Sequence, residues 1–141
     1  YNLGAIYSKT GELNLAIKNY KKATSLNPKN ASSYNSLGEV YYKMGNLNES
    51  IINYKKAIEL QPTFWQAYNN LGIALKDQGK LEEAIKSYKK ALLIKPDSTK
   101  SYINMGNALW EQGKLEETIQ AYKGALWFRL YAGFHKRASR E

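Results

Sequence analysis

Apolar and small residues return along this chain at a helical rhythm, and the whole rhythm then repeats. From Trp65 onward they fall at Tyr68, Leu71, Gly72 and Leu75, with steps of three, one and three. That spacing is one face of a helix. Gly79 ends the run, because glycine accepts the left-handed conformation that a helix stop requires. A second run follows at Leu81, Ala84, Ile85, Tyr88, Ala91 and Leu92, and Pro96 closes it. The pattern predicts a helix over about 65–78, a tight turn, and a second helix over about 81–94.

The phrase YNNLGIALKDQGKLEEAIKSYKKAL, from Tyr68, stands again as YNSLGEVYYKMGNLNESIINYKKAI from Tyr34 and as YINMGNALWEQGKLEETIQAYKGAL from Tyr102. A copy lacking its first residue opens the chain. Gly4, Gly38, Gly72 and Gly106 are each 34 residues apart, as are Gly11, Gly45, Gly79 and Gly113. Leu13, Leu47, Leu81 and Leu115 keep the interval, as do Tyr20, Tyr54, Tyr88 and Tyr122, and also Pro28, Pro62 and Pro96. A fixed period of this size signals a solenoid of stacked helical pairs. Gly72 in mid-helix costs about 1 kcal/mol relative to alanine, so a close helix–helix contact is expected there. Ala84 and Ala91 offer matching hollows, with Tyr68 and Tyr88 filling the space beside them. Of 12 tyrosines, nine sit at three repeated positions, which marks those nine as core.

These residues resemble the tetratricopeptide repeat family, whose pattern is W-x2-L-G-x2-Y…A-x3-F…P. Tyr68, Leu71-Gly72, Leu75, Ala84, Tyr88 and Pro96 match it. The other copies give Tyr34, Leu37-Gly38, Tyr41, Ser50, Tyr54 and Pro62; Tyr102, Met105-Gly106, Leu109, Thr118 and Tyr122, with Leu130 in place of the proline; and Leu3-Gly4, Tyr7, Ala16, Tyr20 and Pro28. The resemblance runs from Tyr1 to about Phe128. It implies an all-α fold: a right-handed α–α superhelix of about four helix-turn-helix repeats, at 1–30 (lacking its start), 31–64, 65–98 and 99–132. Residues 133–141 form a basic tail outside the repeats. The pentatricopeptide repeat, an RNA reader, is the nearest competitor, but its period is one residue longer and it lacks the Leu-Gly pair. The chain opens partway through a helix and reads as a fragment of a longer protein. Trp127, Phe128, Leu130 and Tyr131 are expected to prolong the last helix and shield its apolar side. Gly133 is expected to end it, with Lys136, Arg137 and Arg140 frayed.

Composition adds limits. There are 21 Lys plus Arg against 12 Asp plus Glu, a formal net charge of +9, and no cysteine. No disulfide framework, thiolate metal site or cysteine nucleophile is available, and a reducing, cytoplasmic setting fits. The longest charge-free run, Leu60 to Leu75, is too short and polar to cross a bilayer. The sequons at Asn30 and Asn48 read as chance. The single histidine, His135, has no cysteine to share a zinc ion with and no serine placed for it to activate. Glu82-Glu83 and Glu116-Glu117 open predicted helices, where acids favour the helix dipole. No catalytic constellation and no cofactor is expected, so the protein reads as non-enzymatic. Lys21-Lys22, Lys55-Lys56 and Lys89-Lys90 form an outward ridge. It could attract nucleic acid electrostatically but has no exposed aromatic platform, and that partner is disfavoured.

The family resemblance places the first helix of each pair along a concave groove. Asn2, Asn70 and Asn104 share one repeat position there, which Ser36 occupies in the second repeat, and these asparagines resemble the asparagine ladder in the superhelical arm of O-GlcNAc transferase, which holds peptide backbone. An amide can both donate to and accept from a peptide group. Asn35, Asn69, Tyr42, Ile73, Lys76, Lys100, Asn107 and Trp110 complete the candidate groove. The family's carboxylate clamp, which grips chaperone C-termini, would fall on Asn35, Glu39, Asn70, Lys100 and Asn104. Only Asn70 and Lys100 carry the expected residue and Glu39 would repel the ligand, so the clamp is disfavoured. The expected partner is a protein or an extended peptide, with Lys9, Lys76 and Lys100 favouring an acidic one. The alternatives are a substrate-recruiting arm of a larger enzyme such as a glycosyltransferase, and an RNA-binding helical repeat. The ragged ends suggest self-association.

Overall fold

The computed structural model describes residues 2–138, and the side chains of residues 3–136. It contains α1 (Asn2–Thr10), α2 (Leu13–Leu26), α3 (Ala31–Lys43), α4 (Leu47–Leu60), α5 (Trp65–Asp77), α6 (Leu81–Ile94), α7 (Thr99–Glu111) and α8 (Leu115–Ala138). No strand occurs among the described residues.

The glycine stops act as the spacing requires. Gly11, Gly45, Gly79 and Gly113 have φ of 83, 76, 80 and 75°. At Gly79 its N–H donates to the Lys76 carbonyl at 2.8 Å and the Lys80 N–H donates to the Leu75 carbonyl at 2.9 Å. These two bonds satisfy carbonyls that the helix end leaves open. Asn30, Asn46 and Ser98 cap α3, α4 and α7 by accepting from the N–H of Ser33, Glu49 and Ser101.

Within each pair the repeated spacing of Gly and Tyr becomes a contact. A Cβ added at Gly72 would lie 2.5 Å from the Tyr88 ring, one at Gly38 2.7 Å from Tyr54, and one at Gly106 2.5 Å from Tyr122. The tyrosine ring is thus the nearest group in front of the glycine, and at Gly38 the backbone of Ser50, at the Ala84 repeat position, follows at 3.2 Å. Ala84 and Ala91 are fully buried beside it. Each first helix from α3 onward packs against its own partner and against the second helix of the preceding repeat. One continuous core thus links Ile51, Tyr54, Leu71, Leu75, Ile85, Tyr88 and Leu109. A second, around Ala16, Tyr20, Leu37 and Val40, joins the first repeat to the second.

Three expectations about the core and tail need correction. Tyr20, Tyr54 and Tyr88 are buried, and Tyr7, Tyr34, Tyr41, Tyr68 and Tyr102 half-buried, but Tyr122 is exposed. No further helix pair among the described residues covers it. Gly133 does not end α8. It has no positive φ, and helix-compatible neighbours carry the helix to Ala138. The tail shields less than expected. Phe128 stacks on Tyr102 with centroids 5.9 Å apart, yet Leu126, Trp127, Leu130, Tyr131 and Phe134 remain exposed. Gly124 admits the Tyr102 ring where the earlier repeats carry Lys22, Lys56 and Lys90.

Candidate groove along the first helices

Helices α1, α3, α5 and α7 lie side by side, and five of the polar contacts between them share one register. Lys43 donates to Ser8 Oγ (2.9 Å), Asn70 to Asn35 Oδ1 (3.3 Å), Tyr42 to Asp77 Oδ2 (2.5 Å), Lys76 to Glu111 Oε1 (3.2 Å) and Asn104 to Asn69 Oδ1 (3.1 Å). Every one of these pairs is 35 residues apart, one more than the repeat. These five contacts tie neighbouring first helices at a spacing one residue longer than the repeat, while Asn70 to Glu39 and Ser101 to Asn69 bridge the same helices at spacings of 31 and 32 residues.

This ladder redistributes the predicted groove residues. Asn35 and Asn69 are 7% and 2% exposed. Asn69 Oδ1 accepts from both Ser101 Oγ and Asn104, and Asn35 donates to Glu39 while accepting from Asn70. Both amides lie below the groove surface and are spent holding repeats together, because a buried amide must find its partners within the protein. Ser36 is buried as well. Asn70 and Asn104 are half-buried at the surface. Asn70 uses its amide nitrogen on Asn35 and on Glu39 Oε1 (3.1 Å), which leaves its carbonyl oxygen as an acceptor. The side chain of Asn2 lies outside the described residues.

The charges also differ from expectation. Lys76 sits between Glu111 at 3.2 Å and Asp77 at 3.7 Å, so its attraction for an acidic ligand is largely neutralised. Lys9 and Lys100 stay exposed. The Tyr42 hydroxyl is pushed up to about 12, first by its hydrogen bond to Asp77, then by burial and by the Asp77 charge. Asn107 accepts from the Tyr122 hydroxyl at 2.6 Å. Ile73 is half-buried, whereas Trp110 is 62% and Ile103 42% exposed on the same face.

A cavity of about 380 Å³ opens in the groove between α3, α5 and α7, lined by Glu39, Tyr42, Lys43, Asn70, Ile73 and Lys100, with Tyr54 beneath. In the sequence Glu39 falls on the stripe of α3 that faces the groove and counts against the clamp. Its i,i+4 relation to Asn35 was the signal that it is held in place. A larger depression of about 630 Å³, lined by Lys89, Tyr102, Met105, Leu109 and Ile119, lies between α7 and α8, away from the groove stripe. On the outer ridge Lys21, Lys22, Lys55, Lys89 and Lys90 are exposed, and Lys56 pairs with Glu59 at 3.1 Å. Among the described residues no cluster of His, Asp or Glu could hold a metal ion, and no helix is long and apolar enough to cross a membrane.

Stacked helix pairs with a preformed groove along their first helices define a repeat-built recognition scaffold. The TPR repeat family model matches residues 4–45, 40–79 and 74–113, and the protein belongs to that family. It is an all-α TPR solenoid and a protein-interaction scaffold. A crystal structure of MamA superimposes with a TM-score of 0.89 at 29% identity, over 94% of this protein and 77% of that one. A second MamA structure gives 0.85 at 29% identity, over 99% and 74%. The first TPR of Spaghetti (RPAP3), bound to the HSP90 peptide SRMEEVD, gives 0.76 at 24% identity over 78% and 87%, a likeness of fold. No curated protein sequence matches significantly.

Proposed function

We propose that the groove along α1, α3, α5 and α7 binds an extended segment of a partner protein. One observation carries this reading: Trp110 stands 62% exposed on a face whose polar side chains are already ordered by contacts between repeats. A rigid surface with a protruding aromatic binds at low entropic cost, and tryptophan is a common anchor of interfaces. Packed helices lie about 8–10 Å apart and an extended peptide advances about 3.3 Å per residue, so roughly every third peptide group meets a new repeat. The resemblance to the asparagine ladder is carried by Asn104, which keeps donor and acceptor capacity, and by Asn70 as an acceptor. Lys9 and Lys100 favour acidic residues locally. A cysteine-free sequence fits a cytoplasmic setting.

Self-association is a second reading with its own observation. Leu3 and Ile6 are exposed at one end, and Leu115, Ile119, Tyr122 and Leu126 at the other. In the inner repeats these repeat positions form the two halves of one interface, so copies could stack head to tail. Sedimentation velocity that shows only monomer over a hundredfold concentration range would rule this out.

The groove reading is tested by affinity capture on the immobilised protein, followed by calorimetry with a captured peptide. Lys100→Ala/Trp110→Ala, both at exposed positions, is expected to weaken binding about tenfold or more. Lys55→Ala/Lys89→Ala on the outer ridge is expected to bind normally. The opposite result moves the site to the ridge.

A further inference from the structure

The groove carries one fixed carboxylate that no ion pair among the described residues balances. Glu39 Oε1 accepts from Asn35 Nδ2 at 2.9 Å and from Asn70 Nδ2 at 3.1 Å, one donor from its own helix and one from the next repeat. Two amides converging from different helices hold the carboxylate in one orientation. Glu39 is nevertheless exposed, and the ion pairs of the described residues are formed by other carboxylates. Two lysines line the same cavity without pairing to it: Lys43 is turned to Ser8, and Lys100 stands on α7. The walls around Glu39 are the half-buried Tyr42 and Ile73, with the buried Tyr54 beneath.

We infer that this cavity seats a single arginine or lysine side chain of the bound segment, and that Glu39 determines this specificity. The inference rests on the groove reading above. An ionised carboxylate only accepts hydrogen bonds. Covering it with a ligand removes water from it, and the ligand must return donors and, preferably, opposite charge. A ligand carboxylate, whether from a side chain or from a peptide's C-terminus, would instead meet like charge there. The tyrosine rings and Ile73 suit the methylene stem of a long basic side chain, and an aromatic face favours a guanidinium. Lys100, across the same cavity, disfavours a second cation and accepts an acidic or carbonyl oxygen from the neighbouring ligand residue. The preferred segment therefore carries one basic residue among neutral or acidic ones, not a basic run.

The test is selection of a random twelve-residue peptide library displayed on phage against the 141-residue protein, in wild type and Glu39→Gln. Glutamine keeps an acceptor for the two amides and removes the charge. Binders from wild type are expected to share one arginine or lysine, and those from Glu39→Gln to lack it. In fluorescence anisotropy, replacing that basic residue by glutamine should weaken binding to wild type by about ten- to a hundredfold, and binding to Glu39→Gln by much less. Binders without a shared basic residue, or an equal loss on both proteins, overturn the inference and leave the groove reading intact. No binders at all overturns both. If Glu39→Gln does not fold, the wild-type selection and the peptide substitution on wild type decide.

Discussion

Helices α6 and α8 begin with nearly the same residues, LEEAIKSYKKAL and LEETIQAYKGAL, yet they live in different surroundings. Tyr88 is fully buried while Tyr122 is 39% exposed, and Ile85 is 6% exposed against 43% for Ile119. Ala84 and Thr118 are both buried, because each faces its own partner helix. The difference lies wholly on the side that the next repeat covers. In a solenoid a motif defines only half of each interface, and its neighbour decides whether that half becomes core.

The largest test of this comparison is truncation of the two tyrosines. Tyr88→Ala is expected to cost about 3–5 kcal/mol, the usual range for a buried aromatic. Tyr122→Ala should cost about 1–2 kcal/mol, from partial burial and the lost bond to Asn107. Urea denaturation followed by circular dichroism measures both, and equal losses would mean that the last repeat is as well covered as the third.

The glycines give a smaller but sharper contrast. An alanine Cβ would approach its tyrosine to 2.5 Å at both Gly72 and Gly106. At Gly72 the ring is enclosed, and Gly72→Ala is expected to destabilise by about 1–3 kcal/mol despite alanine's better helix propensity. At Gly106 the exposed Tyr122 ring can swing toward solvent, and the propensity gain of about 1 kcal/mol should leave Gly106→Ala near neutral. Thermal melts of the pair decide it, and a large loss at Gly106 would show a ring that cannot move.

Alkaline pH probes the same burial. The hydroxyls of Tyr54 and Tyr88 are pushed upward, chiefly by burial, and that of Tyr42 is raised to about 12, chiefly by Asp77. A group whose folded pKa lies above its unfolded value contributes full stability below the unfolded pKa, near 10. That contribution fades as pH rises through the folded value, because the unfolded state loses its proton first. Tyr88→Phe should therefore lose less stability than wild type between about pH 10 and pH 12. Among the described residues the buried Tyr88 hydroxyl has no hydrogen-bond partner, so Phe should be neutral or stabilising at pH 7. A parallel decline of both proteins with pH would remove burial as the cause.

The smallest effects come from the leucines that open the two helices. Leu81 is half-buried and Leu115 is 55% exposed. Leu81→Ala is expected to cost about 1–2 kcal/mol, less than a fully buried leucine, and Leu115→Ala within about 0.5 kcal/mol. Lys86→Ala on the exposed face should also stay within about 0.5 kcal/mol. Guanidinium midpoints for the three variants resolve the order.

By itself the sequence determined the repeat, the helix ends and the inner face. Each depends on residues close in sequence: Gly79 stops α5, and Leu81, Ala84, Ile85 and Tyr88 fall on one side of α6 whatever surrounds them. The tertiary structure decided which of the groove's polar residues face outward. The way neighbouring first helices meet is a packing property that no single repeat encodes. It sinks Asn35 and Asn69 between repeats and ties Lys76 to Glu111. Packing between repeats also brings Asn70 onto Glu39, which turns a residue that looked merely unfavourable into a carboxylate held by two amides. Side chains more than thirty residues apart share one small space there, and which of them remains unpaired depends on distances that spacing along the sequence does not contain.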